Sequence, residues 1–341
     1  MRWLSFLILS SFFLGGCVQE RPRDESPADR PTTPGHSPRQ TASDKATDQS
    51  ASAVTERSIP VFSGKKSFQY LLKQTSFGPR NPNSAGHAEC LNYLANELRS
   101  LADLVQLQEF SHSGYRGEYL RLTNIVASFN PKASERLLFC AHWDTRPRAD
   151  QDENKSRRSE PIVGANDGAS GVAVLLEIAS LLKEKPPAIG VDIVLFDGED
   201  YGLGGDNQNY LLGSRHFAES LTSGHTPRFG ILLDMIGDKF LEIPKEQFSL
   251  KFAPDIVALV WNKAKELGYP QFIDDTGEEV IDDHLPLNEA GIKTIDLIDF
   301  NYPDQTNRFW HTHQDIPENC SAESLEAVGT VVTHVLYAQI P

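Results

Sequence analysis

Arg136-Leu137-Leu138-Phe139-Cys140-Ala141-His142-Trp143-Asp144 begins as a nearly continuous apolar run and ends on an imidazole and a carboxylate. A strand without a polar face is covered on both sides, as strands are in parallel sheets clothed by helices. Similar buried runs recur at 191–196, 229–233 and Thr294–Ile298. Between and after them, residues 168–183, 255–267 and 322–339 carry apolar positions at helical spacing. Upstream, 63–74 and Ala85–Leu101 read as amphipathic helices joined by the Gly- and Pro-rich loop 77–82. Residues 105–110 and Tyr119–Phe129 alternate as half-buried strands. The expected fold is α/β, a three-layer α/β/α sandwich whose mixed, mainly parallel central sheet takes the early hairpin-like strands at one edge.

Of 341 residues, 39% are hydrophobic, ample for a sizeable core. The formal net charge of −15 argues against nucleic acid as a partner, because phosphate binding needs clustered Lys and Arg. It suits a protein that gathers carboxylates around a cation.

The N-terminal end reads differently. Arg2 precedes a mostly apolar run over 3–14, too short to span a bilayer and of the length of a secretory signal. The run closes on Leu14-Gly15-Gly16-Cys17, which resembles the bacterial lipoprotein cleavage box. That resemblance implies a signal peptide over 1–16, removed to leave a lipid on Cys17. Residues 17–57, rich in Pro, Ser, Thr, Asp, Arg and Gln, are then expected to form a disordered tether. The catalytic domain is expected over 58–341, on the periplasmic or cell-surface side of a membrane. Cys90, Cys140 and Cys320 remain; an odd number allows at most one bridge, and pairing of Cys90 with Cys320 stays open.

In sheets of this kind, functional groups gather just past the carboxyl ends of the strands. His142 and Asp144 follow one buried run, Glu199 and Asp200 a second, and Asp234 ends a third. Asp167 lies in the turn Gly164-Ala165-Asn166-Asp167-Gly168, Asp282-Asp283-His284 in a polar loop, and His311 beyond the last strand. Taken singly, an Asp in a Gly-rich turn is ordinarily a helix cap, and Glu-Asp after a strand is ordinarily a solvated loop. Carboxylates and imidazoles sharing one rim repel or titrate unfavourably unless a cation holds them. Zn²⁺ suits such a mixed nitrogen and oxygen set.

CAHWDTRP (140–147), VGANDGASGVAVLLEIA (163–179), IVLFDGEDYG (193–202), GSRHFA (213–218), LLDMIGD (232–238), IDDHLPLNEAGI (281–292) and FWHTHQD (309–315), in that order, resemble the M28 zinc aminopeptidase superfamily. Within it they are most similar to the glutaminyl-peptide cyclotransferase branch. The resemblance implies zinc on Asp167, Asp200 and His311; the family often has Glu where Asp200 stands. It implies Glu199 as general base and acid, Asp234 and Asp282 as a supporting acidic pair, and Trp310 as a wall of the substrate pocket. The substrates would be peptide or protein N-termini, with no nucleic acid and no membrane contact except through the Cys17 lipid. One zinc per chain is expected of the cyclase. In the alternative, an M28 di-zinc aminopeptidase, a second zinc would sit on His142, Asp167 and Asp234.

Three features favour the cyclase: the long segment between Asp200 and Gly213, Trp310 before the ligand histidine, and the pattern over 119–131. Two depart from it. Asp296 stands where animal cyclases carry a histidine, and the long loop shows Gly204-Gly205 in place of their tryptophan. An Asp donates a hydrogen bond at neutral pH only if its pKa is raised, so Asp296 is expected to alter substrate orientation. A peptide-capturing module without turnover would have no need of Glu199.

Overall fold

The structure, a computed structural model, describes residues 59–221 and 226–339. The expected signal segment 1–16, Cys17 and the tether 17–57 lie outside the described residues. Among the described residues, no helix is long and apolar enough to cross a membrane.

Ser63 and Ser84 open the first two helices, α1 (Gly64–Thr75) and α2 (Ala85–Leu101), their hydroxyls accepting from the main-chain N–H groups of Lys66 and His87. Strands β1 (Leu104–Ser113), β2 (Tyr119–Phe129) and β3 (Arg136–His142) follow, then helix α3 (Ser170–Glu184) and strand β4 (Gly190–Phe196). Next come α4 (Leu212–Ser220), β5 (Gly230–Asp234), the short β6 (Ile243–Lys245), α5 (Gln247–Phe252), α6 (Pro254–Leu267) and β7 (Phe272–Thr276). The chain closes with α7 (His284–Glu289), β8 (Thr294–Ile298) and α8 (Ala322–Ala338).

The main sheet runs β1-β2-β4-β3-β5-β8. Strand β1 pairs antiparallel with β2, and β2 antiparallel with β4. From β4 through β3 and β5 to β8 every pairing is parallel. The expected mixed, mainly parallel sheet with an antiparallel edge is therefore present. Four carboxyl ends consequently share one rim, with His142 level with Phe196 and Asp234 level with Ile298.

Strand alternation divides the core in two. Leu137, Phe139, Ala141, Ile193, Leu195, Ile231 and Leu233 face one layer with α1, α2, α3, α6 and α8. Leu138, Cys140, Val194, Phe196 and Leu232 face the other, where Phe217 of α4 and Leu287 of α7 cover them. Gly171 makes the first layer possible: a Cβ there would stand 2.0 Å from the main-chain oxygen of Leu233, so α3 lies directly on β5. Cys90, Cys140 and Cys320 are all buried, free thiols.

Candidate active site

Asp167 is not the cap of α3. The helix starts at Ser170 with Ala169 at its N-cap, and among the described residues no side chain caps it. The turn before it is held from elsewhere: Asp315 accepts the main-chain N–H groups of Asn166 (2.7 Å) and Asp167 (3.2 Å). Asn166 Oδ1 accepts from Gly237 N at 2.6 Å, tying the turn to the segment after β5. Gly168 closes it at φ +101°, where a Cβ would strike the main-chain oxygen of Asp144. The Asp167 carboxylate is thereby left free to face the rim.

Glu199 and Asp200 follow β4, and Asp144 fixes them. Its carboxylate accepts Glu199 N at 3.0 Å and Asp200 N at 3.4 Å, so Asp144 is a brace rather than a member of the centre. His311, at φ +55°, brings Nε2 to 3.4 Å from Asp167 Oδ2 and 3.3 Å from Asp200 Oδ1. One ligand atom from each of Asp167, Asp200 and His311 lies within 4.8 Å of the others, and all three residues are buried. His142, Asp167 and Asp234 form a second such group. There His142 Nε2 stands 3.2 Å from Asp167 Oδ1 and 3.1 Å from Asp234 Oδ1.

These donors fit a zinc ion. The first group offers two carboxylates and one imidazole, the hard and borderline set that zinc takes. Asp167 Oδ2 and Asp200 Oδ2 are buried with no hydrogen-bond partner among the described residues. Orphaned carboxylate oxygens are costly in a protein interior unless a cation meets them.

The electrostatics follow from packing acids below a rim. Burial disfavours charge on Asp167, but the adjacent His142 and His311 imidazoles outweigh this and hold its pKa below the ordinary carboxylate range. Burial, then repulsion from Asp200, Asp282 and Asp283, raises Glu199 well above its ordinary value despite His142. Burial and the neighbouring Asp234 push Asp282 up to about 7.

A cleft of ≈ 210 Å³ opens over this rim, lined by Asp167, Glu199, Asp200, Asp234, Asp282 and His311 among polar groups. Val280, Ile281, Phe300, Tyr210, Asn207 and Trp310 complete its walls. The Trp310 indole stacks on the His311 ring at 3.7 Å and meets Phe300 edge-on at 5.1 Å.

Each residue to which the sequence assigned a role reaches this region: His142, Asp167, Glu199, Asp200, Asp234, Asp282, Trp310 and His311. Asp296 is different. It is fully buried, does not line the cleft, and its main-chain N–H donates to Ser249 Oγ at 2.9 Å. Burial and the nearby carboxylates of Asp282, Asp234 and Glu246 raise its pKa well above the ordinary value. Gly204 and Gly205 leave open space, while Asn207 and Tyr210 of the same loop supply the wall.

Sequence reasoning missed Arg80, Arg146, Asp150, Tyr210 and Asp315. Arg80 is wholly buried and donates to the carbonyls of Trp143 (3.2 Å), Val163 (2.7 Å) and Gly164 (2.8 Å), joining the two ligand-bearing loops. Arg146 and Asp315 stood inside quoted motifs, yet their partners are distant in the chain.

The model of peptidase family M28 matches residues 124–336. A crystal structure of Porphyromonas gingivalis glutaminyl cyclase is 40% identical, covers 82% of this chain and 99% of that one, and superposes with a TM-score of 0.79. A leucine aminopeptidase precursor from Bacteroides thetaiotaomicron is also 40% identical, covering 83% and 99% with a TM-score of 0.78. The glutaminyl-peptide cyclotransferase-like protein of Bos taurus is 28% identical over 282 residues, 74% of this chain and 70% of that protein. With more than half its length matched by the family model, the chain belongs to peptidase family M28.

Proposed function

We propose that this chain is a zinc-dependent glutaminyl-peptide cyclotransferase, converting the N-terminal glutamine of peptides to pyroglutamate with release of ammonia. The observation that carries this is the cleft itself: Glu199 and Asp282 share a space of ≈ 210 Å³ with Asp167, Asp200, His311 and Trp310. Solved relatives named as glutaminyl cyclases at 40% identity support it.

Asp167, Asp200 and His311 would hold the zinc, which when bound supplies Lewis acidity toward an amide carbonyl oxygen. Substrate and catalyst then do the rest. The α-amine attacks the carbon of its own side-chain amide; a C–N bond closes the ring, the original C–NH₂ bond breaks, and no water is consumed. Glu199 takes the proton from the attacking amine and passes it to the departing nitrogen. Asp234 and Asp282 orient the amine and take up its partial charge. Trp310 limits the depth of the pocket and shields the reacting atoms from water.

The alternative rests on the second donor group. His142, Asp167 and Asp234 could hold a further zinc, and Glu199 would then activate water against the first peptide bond. Mass spectrometry of a Gln-Ala-type peptide separates the two. Loss of roughly 17 Da with the peptide bond intact supports the cyclase; free glutamine supports the aminopeptidase. Metal analysis adds a second readout, about one zinc per chain against about two.

From the sequence alone, we infer export and anchorage by a lipid on Cys17. Release of the Cys17→Ala protein from the membrane fraction is the expected result, and unchanged partition rejects the anchor.

A further inference from the structure

Arg146 is 2% exposed, and every N–H of its guanidinium has an acceptor. Nε donates to Asp150 Oδ1 at 2.7 Å, and Nη2 donates to Asp150 Oδ2 at 2.7 Å and to the Tyr210 hydroxyl at 3.0 Å. Nη1 donates to Asp200 Oδ1 at 2.5 Å and to the Asp200 main-chain oxygen at 3.3 Å. Asp150 Oδ1 in turn stands 3.8 Å from His311 Nδ1, the ring nitrogen turned away from Asp167 and Asp200. One side chain therefore touches a ligand carboxylate, the acid behind the ligand imidazole, and a wall of the cleft.

We propose that Arg146 is the positioning residue of the metal centre, presenting Asp200 directly and His311 through Asp150. A carboxylate on a single rotatable bond can offer either oxygen. Anchored through Oδ1 and its main-chain oxygen, Asp200 keeps Oδ2 buried and without a hydrogen-bond partner among the described residues, as a metal ligand requires. Asp150 receives two parallel bonds, the planar fork that arginine alone provides. Held in this way, its Oδ1 places a negative charge 3.8 Å from Nδ1 on the far side of the His311 ring, beyond hydrogen-bond distance, where it acts on the ring electrostatically. The positive charge also offsets repulsion between Asp167 and Asp200 before any ion binds. Lysine would keep the charge but has one nitrogen to place among three partners. Arg146 thus binds nothing in the reaction itself; it acts through the groups it holds.

The inference rests on Asp167, Asp200 and His311 being the zinc ligands, and not on whether the reaction is cyclisation or hydrolysis. It is tested on the full chain by zinc affinity in a chelator competition, with circular dichroism of the zinc-free protein as the control for folding. Arg146→Lys is expected to fold and to bind zinc about 10–100-fold more weakly, with a lower zinc-free melting temperature. Asp150→Asn keeps the shape but accepts one parallel bond instead of two, and is expected to weaken zinc in the same direction. Because both act through one linkage, the double variant should be no weaker than the worse single one. Should Arg146→Lys fail to fold, the affinity of Asp150→Asn bears the test. Wild-type affinity in a folded Arg146→Lys protein, or in Asp150→Asn, overturns the proposal while leaving the ligand assignment intact. A wild-type protein that takes up no zinc overturns both.

Discussion

Asp315 Oδ2 accepts the main-chain N–H of Asp167 at 3.2 Å, so the turn that carries a candidate ligand is capped by a residue near the other end of the chain. The same carboxylate accepts Asn166 N and the Tyr302 hydroxyl. Replacing it with alanine strands two buried N–H groups. Asp315→Ala is expected to lose about 1–3 kcal/mol for each group left unpaired, and to bind zinc more weakly as Asp167 loosens. Chemical denaturation and a chelator titration of the same protein measure both; an unchanged stability curve refutes the capping role.

Glu199 touches the cleft but belongs to neither candidate donor group. Glu199→Gln keeps the volume and removes the base. Turnover should fall by about 10²–10⁴-fold, while zinc content stays at the wild-type value. Retained turnover would exclude Glu199 as the proton carrier.

Glu246 offers a stability prediction with a defined pH window. Burial alone would raise its pKa. The hydrogen bond and charge of His284, with the N–H groups of Phe248 and Ser249, outweigh burial and lower it from 4.5 to about 2. A depressed carboxylate stabilises the fold fully above its unfolded value and loses that contribution as pH falls toward its folded value. The stability advantage of wild type over Glu246→Gln should therefore be larger near pH 7 than near pH 2. The gap should narrow as pH drops from 4.5 toward 2. Urea melts across that range test it, and a gap independent of pH would be contrary to the prediction.

Gly171→Ala tests the layer contact between α3 and β5. The added methyl meets the main-chain oxygen of Leu233 rather than a side chain that could rotate away. The expected cost is about 1–3 kcal/mol or more, read as a lower midpoint in thermal unfolding. A neutral outcome would mean that α3 can lift off the sheet.

The sheet was legible in the sequence because strands covered on both faces are dominated by apolar residues, as 136–141, 191–196 and Thr294–Ile298 are despite Arg136, Asp192 and Asp296. The elements that escaped are mostly those too short to show a period: α5 and α7 have 6 residues each, β7 has 5 and β6 has 3. Helix α4 gave no start signal because Leu211 precedes it in the left-handed region with no side-chain cap. At the site, His142, Glu199, Asp200 and Asp234 were legible because strand ends place them at one rim, while Asp167 and His311, in loops, were singled out by the GANDG turn and the FWHTHQD segment. Arg146, Asp150 and Asp315 were not, since what they do depends on partners that only the folded chain brings near. The resemblance singled out Asp296 as a departure, but did not show that it is fully buried with its main-chain N–H on Ser249 Oγ.

The three thiols among the described residues give the protein an internal clock. Cys90 on α2, Cys140 on β3 and Cys320 ahead of α8 are 0%, 0% and 3% exposed, so a thiol reagent reaches each one only when its own part of the core opens. Labelling at low denaturant therefore times three separate openings in one molecule without any engineered probe. The order in which the cysteines react ranks the helical layer, the sheet and the C-terminal segment by local stability.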